Sequence, residues 1–156
     1  MAKATAEEAA KTRQKIIDTA LDITLNEGFE HVTLGTLAKR IGMSRSGINC
    51  HFPRKEHIAE VLKPIIVKTL IENLDFGSCS DFYESWVNAI DHDPHFVAAV
   101  RALGPIVPVG DGFGGLQNRI QCTDNDLVKQ TIYKAIGYSV VHIAEQMSRK
   151  ELSIIK

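Results

Sequence analysis

Apolar residues recur every three to four positions over most of the chain, the spacing that lays one side of a helix against a core. Ile16, Ile17, Ala20, Leu21 and Leu25 follow it first, and Gly28 stands where a left-handed residue would stop the turn, so residues 9 to 27 are predicted as a first helix. Thr33 then offers its hydroxyl as an N-cap to a shorter segment in which Leu34, Leu37, Ala38 and Ile41 fall at i, i+3, i+4 and i+7, with Gly42 as its stop. Only Met43 separates this from Ser44, a second N-cap, and from a third segment with Ile48 and Phe52 four apart and Pro53 at its end.

Two helices of about two turns each, joined by a tight glycine-containing turn and packed on a longer preceding helix, make a helix-turn-helix over about residues 33–52. Beyond it, residues 55 to 72 continue as a helix with Ile58, Val61, Leu62, Ile65 and Ile66 on one broad face. Pro64 lacks the N–H for the carbonyl four residues earlier, so a kink or restart is expected there, more a structural bend than a hinge. From residue 78 the period persists. Ser80 or Asp81 is expected to cap a helix bearing Phe82, Trp86, Val87 and Ile90, and Asp93 with Pro94 opens another, with Phe96, Val97, Val100 and Leu103 inward and Gly104 at its end.

The stretch GPIVPVGDGFGG reads as a connecting loop. Its Gly110, Gly112 and Gly115 satisfy G-x-G-x-x-G, but no strand-turn-helix unit surrounds them, so no nucleotide site is expected. The longest regular segment begins near Asp124 and runs to about Ser148. Val128, Ile132, Ala135, Ile136, Ile143 and Met147 form one face, while Leu127, Tyr138, Val140 and Val141 spread apolar surface beyond it. That is more than one side of a small domain needs, and Gly137 and Ser139 would let a neighbouring helix come close, so self-association is expected.

Composition narrows the class. The 156 residues are 44% hydrophobic, enough to bury a core, and no run of eighteen apolar residues occurs, so the chain is expected to be a folded cytoplasmic protein without a membrane partner. Its opening residues lack the apolar middle of a secretory signal. Cys50, Cys79 and Cys122 are odd in number and far apart, which predicts free thiols rather than a disulfide framework or a thiol zinc site. Asp91, His92, Asp93 and His95 suit helix capping better than metal binding, so no metal is expected. No nucleophile elbow, paired-carboxylate signature or H-E-x-x-H occurs, so neither catalysis nor a cofactor is expected.

Net charge is only −1, yet between His31 and Lys55 stand Lys39, Arg40, Arg45, Arg54 and Lys55 with no acid among them. This local excess falls on the third segment, where side chains are short or hydrogen-bonding. A helix entering the major groove needs such an outer face. Ser46 and Gly47 let the backbone approach, Arg45 can reach a guanine edge or a phosphate, Asn49 an adenine or a phosphate, and Ile48 and Phe52 anchor the helix from beneath. The first N–H groups of both short helices favour phosphate oxygens.

The run TRQKIIDTALDITLNEGFEHVTLGTLAKRIGMSRSGINCHFPRKEHI resembles the N-terminal DNA-binding domain of the TetR family of transcriptional regulators, over about the first 60 residues and without a gap. The likeness rests on T-R-x-x-I, the Gly-Phe after the first helix, T-L-x-x-L-A-K-x-x-G-x-S and H-F-x-x-K-E. It implies phosphate or base contacts from Thr33, Thr36, Arg45, Ser46, Gly47, Asn49, His51 and Lys55. Asn49 stands where members usually carry a tyrosine, so the contact there is expected to be shorter and able to read a base. The resemblance further implies an all-α protein with a DNA-binding domain over residues 1–54 and a helical dimerisation and effector domain over 55–156. It would act as a homodimeric repressor on palindromic double-stranded DNA, released by a small apolar or amphipathic ligand. Phe82, Trp86, Phe96, Tyr133 and His142 are the candidates to line a ligand pocket, against the alternative that they are ordinary core. Other readings are a DNA-binding adaptor whose second domain only dimerises or docks a protein, and a helical enzyme or carrier that keeps the head unused.

Overall fold

The computed structural model describes residues 5–107 and 109–154, with side chains left aside at 109, 111 and 150–154. Eight helices follow one another among the described residues: α1 (Ala6–Asn26), α2 (Leu34–Ile41), α3 (Arg45–His51), α4 (Lys55–Ile71), α5 (Cys79–His92), α6 (Pro94–Arg101), α7 (Val109–Gln117) and α8 (Asn125–Ile154). A 3-10 turn, Phe29–His31, joins α1 to α2, and no strand occurs among these residues, so the all-α expectation holds.

Local hydrogen bonds set most of the helix starts. Thr33 accepts from the Thr36 amide at 3.0 Å, and Ser44 from the Gly47 amide at 3.1 Å, as their positions predict. Between them Gly42 takes the left-handed conformation, φ 77°, that turns the chain from α2 into α3. Asp124 accepts from the amides of Asp126 and Leu127, both at 3.0 Å, and so caps α8. Asp93 caps α6 through the His95 amide at 2.8 Å, which gives the aspartate beside the histidines a structural role. Removing the Ser44 hydroxyl by Ser44→Ala is expected to cost about 1 kcal/mol, read as a lower urea midpoint with unchanged slope; an unchanged midpoint would show the cap to be idle.

Three expectations change. The cap of α5 is Ser78, two or three residues before the expected Ser80 or Asp81. Ser78 accepts from the Asp81 amide at 3.1 Å and donates its hydroxyl to the Asp81 carboxylate at 2.6 Å, so the Ser-x-x-Asp pair fixes the start. The stretch expected as a loop contains α7, glycine-rich as it is. Phe113 and Leu116 pack on the core there, and Phe113 stacks on Tyr133 of α8 with ring centroids 5.4 Å apart, so tertiary burial overrides poor propensity. Finally, α4 runs through Pro64 without a break. Pro64 is exposed, on the side where water can take the carbonyl it leaves unbonded.

One continuous core threads both ends of the chain. Ile16, Ala20 and Ile23 of α1 meet Leu37 of α2, Ile48 of α3, and Phe52, all fully buried or nearly so. Along α4, Ile58, Leu62, Ile66 and Leu70 recur every four residues and carry the core towards α5, α6 and α8. An aromatic chain stands at its centre, with Phe82 and Trp86 5.6 Å apart and Trp86 and Phe96 edge-on at 5.2 Å. The Trp86 indole N–H donates to Ser139 Oγ at 2.7 Å, and Ser139 donates to the Ala135 carbonyl at 3.0 Å, so this buried polar link between α5 and α8 is satisfied.

Candidate nucleic-acid interface

The face of α3 that points away from Ile48 is formed by Arg45, Ser46, Asn49 and Cys50, all exposed, with Gly47 and His51 at its flanks. Ile48 at 0% and Phe52 at 1% exposure hold the helix from beneath, so the outer face costs the core nothing. Burial of two such side chains is worth about 1.5–3 kcal/mol each. Arg13 of α1 lies over the Phe52 ring, 4.6 Å from its centroid, and extends the basic surface from a third helix.

The first turns of α2 and α3 come together. The Arg45 guanidinium lies against Gly35, where a Cβ would stand only 3.1 Å from Nη2. Gly35 is therefore a notch that seats Arg45 beside the start of α2, a role unread in the sequence. A glycine inside a helix with no turn to make was the available signal. Gly47 also has a packing reason beyond letting the backbone approach: a Cβ there would meet Met43 Cε at 3.1 Å and Ser44 Oγ at 3.3 Å.

Around Arg45 the hydroxyls form short local bonds. Thr33 and Thr36 Oγ1 lie 2.9 Å apart, Ser44 and Ser46 Oγ 3.0 Å apart, and each hydroxyl keeps spare lone pairs. Lys55 caps the other end of the surface. Its ammonium sits 4.5 Å from the Phe29 centroid and donates to the Glu30 carbonyl at 3.3 Å, which fixes its direction at a cost in reach. Of the five cations in the basic stretch, Arg40 is turned away. It pairs with Asp22 at 3.4 Å and with Glu27, both on the α1 side, so its charge is taken up there and does not stand beside Arg45. Lys15 is likewise directed to the Ile41 carbonyl at the end of α2, 3.5 Å away.

The five pocket candidates are scattered. Trp86 lines a cavity of about 670 Å³ bounded by α4, α6, α7 and α8. Phe82 and Phe96 lie wholly in the core beside it. Tyr133 is 61% exposed, and His142 stands on the far side of α8 beside Asp91, 3.3 Å from its carboxylate. The same carboxylate accepts from the Tyr138 hydroxyl at 2.6 Å, a bond that holds the Tyr138 phenol above its usual pKa.

The three cysteines are free. Two that are distant in sequence are neighbours in space: the Gln121 amide bonds the Phe76 carbonyl at 2.8 Å, bringing Cys79 and Cys122 side by side. Burial first and Cys122 second push the Cys79 thiol upward. Cys50 alone of the three lies on the outer face of α3.

Among the described residues no helix is long and apolar enough to cross a membrane. A profile of bacterial regulatory proteins of the tetR family matches residues 16–62, from the inner face of α1 to the first turns of α4. The chain is 36% identical over 87 residues to the HTH-type transcriptional regulator SrpR of Pseudomonas putida, covering 55% of this chain and 39% of that protein. To TtgW, an uncharacterized HTH-type transcriptional regulator of the same species, it is also 36% identical over 87 residues, 55% of this chain and 63% of the other. A probable acrEF/envCD operon repressor of Escherichia coli is 30% identical over 142 residues, 89% of this chain and 62% of the repressor. The chain thus spans less than two thirds of each of these relatives. With the helix-turn-helix in place and the matched residues forming it, residues 16–62 of this chain are similar to the tetR family of bacterial regulatory proteins.

Proposed function

We propose that this protein is a sequence-specific DNA-binding transcriptional regulator, a cytoplasmic repressor that works as a homodimer and leaves its operator when a small ligand fills the cavity. The observation that carries the DNA reading is the outer face of α3, with Arg45, Ser46 and Asn49 exposed over a buried Ile48 and a basic surround. In this reading residues 1–54 form the DNA-reading unit. Arg45 and Asn49 meet base edges, and Thr33, Thr36, Ser46, Gly47, His51 and Lys55 meet the backbone. The relatives that match are named as transcriptional regulators and an operon repressor, which favours a regulator over an enzyme.

Residues 55–156 supply dimerisation and effector binding. On α8, Tyr133 and Val141 are 61% and 59% exposed, eight residues apart on one side, with Gly137 between them facing open space. An apolar stripe of this kind on a helix surface is suited to a second copy of itself, and a two-fold pair of heads matches a palindromic site.

Labelled duplexes selected from random DNA, titrated at rising salt, test the reading. Saturable binding whose logarithm falls linearly with log salt, by about 0.9 per phosphate contacted, is expected. DNA should also shield Cys50 from alkylation while Cys79 and Cys122 keep their rates. Light scattering should give a dimer that Val141→Asp converts to monomer. Binding that never saturates, or Cys50 alkylated equally fast on DNA, overturns the assignment.

A further inference from the structure

The effector cavity is apolar within and basic at its edge. Val67, Val100, Leu116, Val140 and Ile143 form much of its wall, while every ionisable side chain lining it among the described residues is a cation: Lys63, Arg101 and Arg119. Arg101 closes α6 and Arg119 follows α7; both are exposed and line the cavity, so they lie where its apolar wall meets solvent. Neither is held by a carboxylate among the described residues. The interior makes no such demand. Trp86 and Ser139, the polar groups in the wall, bond to each other at 2.7 Å, and no described buried side-chain nitrogen or oxygen lacks a partner. Among the described residues, polar recognition is therefore confined to the rim, and there it is of one sign.

Resting on the effector reading above, we propose that the cavity takes an amphiphilic anion. Its apolar body, an acyl chain or fused rings, lies along α8, and its single carboxylate or sulfate head is held at the rim by Arg101 and Arg119. Arginine pairs such heads through two parallel N–H bonds, which are stronger beside a low-dielectric wall than in open water. A ligand with a cationic head would place like charge against both arginines. At about 670 Å³ the cavity falls in the range, about 300–1,000 Å³, that encloses drug-sized molecules.

Trp86 is the chain's one tryptophan and lines the cavity, so its fluorescence in the full-length protein reports occupancy directly. Decanoate, 1-decanol and decyltrimethylammonium, each titrated below its micelle concentration, share one tail and differ in head charge. Decanoate is expected to bind more tightly than the ammonium compound. The double variant Arg101→Gln/Arg119→Gln should weaken decanoate about tenfold, which corresponds to about 1.4 kcal/mol, while decanol is unchanged. An unchanged urea midpoint checks that the variant is folded. Ammonium binding as tight as decanoate, or decanoate binding indifferent to the two substitutions, overturns the anion assignment and leaves the cavity as an effector site. Failure of all three probes to alter Trp86 emission or release heat removes the effector reading itself, and this inference with it.

Discussion

Phe52→Ala is expected to destabilise the protein by about 3–5 kcal/mol and to abolish specific DNA binding. Phe52 is 1% exposed, sits at the end of α3, and is among the largest side chains buried between α1, α3 and α4. Its removal leaves a void that the surrounding core fills only partly, and strips the Arg13 guanidinium of the ring it lies over at 4.6 Å. Many domains hold a total of about 5–15 kcal/mol, so the loss takes much of what keeps the head folded at growth temperature. Chemical denaturation followed at Trp86 and by helical circular dichroism measures it. A drop seen by circular dichroism before Trp86 changes would localise the damage to the head. A variant within about 1 kcal/mol of the parent would show that α3 is not anchored by this ring.

Arg45→Ala carries the second large effect, this time on recognition rather than stability. The guanidinium is exposed, seated in the Gly35 notch, and stands at the start of α3, where a bidentate contact to a guanine edge is worth about 1–3 kcal/mol of discrimination. Affinity for the selected operator should fall about 5- to 150-fold, with little change on random DNA, so the ratio between them collapses. Two companions sharpen the result. Lys55→Ala should weaken all duplexes alike and lower the salt slope, as a backbone contact does. Arg40→Ala should leave DNA binding almost intact, because Arg40 is held by Asp22 and Glu27 on the other side of α2. If Arg45→Ala keeps its base preference, or if Arg40→Ala loses as much as Arg45→Ala, the outer face has been misassigned.

The contrast between Arg40 and Arg45 shows where reading the chain stops. Both belong to one basic run and look equivalent in it. Arg40 finds its carboxylates eighteen and thirteen residues earlier, on a helix whose register against α2 follows from packing. Arg45 finds a glycine ten residues earlier, across a turn. Nothing within a few positions of either distinguishes them. The same holds for the pocket candidates: Phe82, Trp86 and Phe96 share a helical apolar pattern, but only the angle between α5 and α8 puts Trp86 alone of the five on the cavity wall.

Residue order alone was enough to specify the helices of the head, their caps at Thr33 and Ser44, the turn at Gly42 and the inward Ile48 and Phe52. These depend on hydrogen bonds and side-chain spacing within one or two turns, so neighbours along the chain suffice. Other features arose only on packing: a glycine-rich segment becomes α7 because Phe113 and Leu116 have a surface to bury against, and Cys79 meets Cys122 because the Phe76 and Gln121 backbones pair. The rim of arginines likewise exists only where α6 and α7 end beside the same cavity. Such features are set by how helices cross, through contacts between residues tens of positions apart, and a one-dimensional pattern of apolar and polar positions carries no record of those crossings.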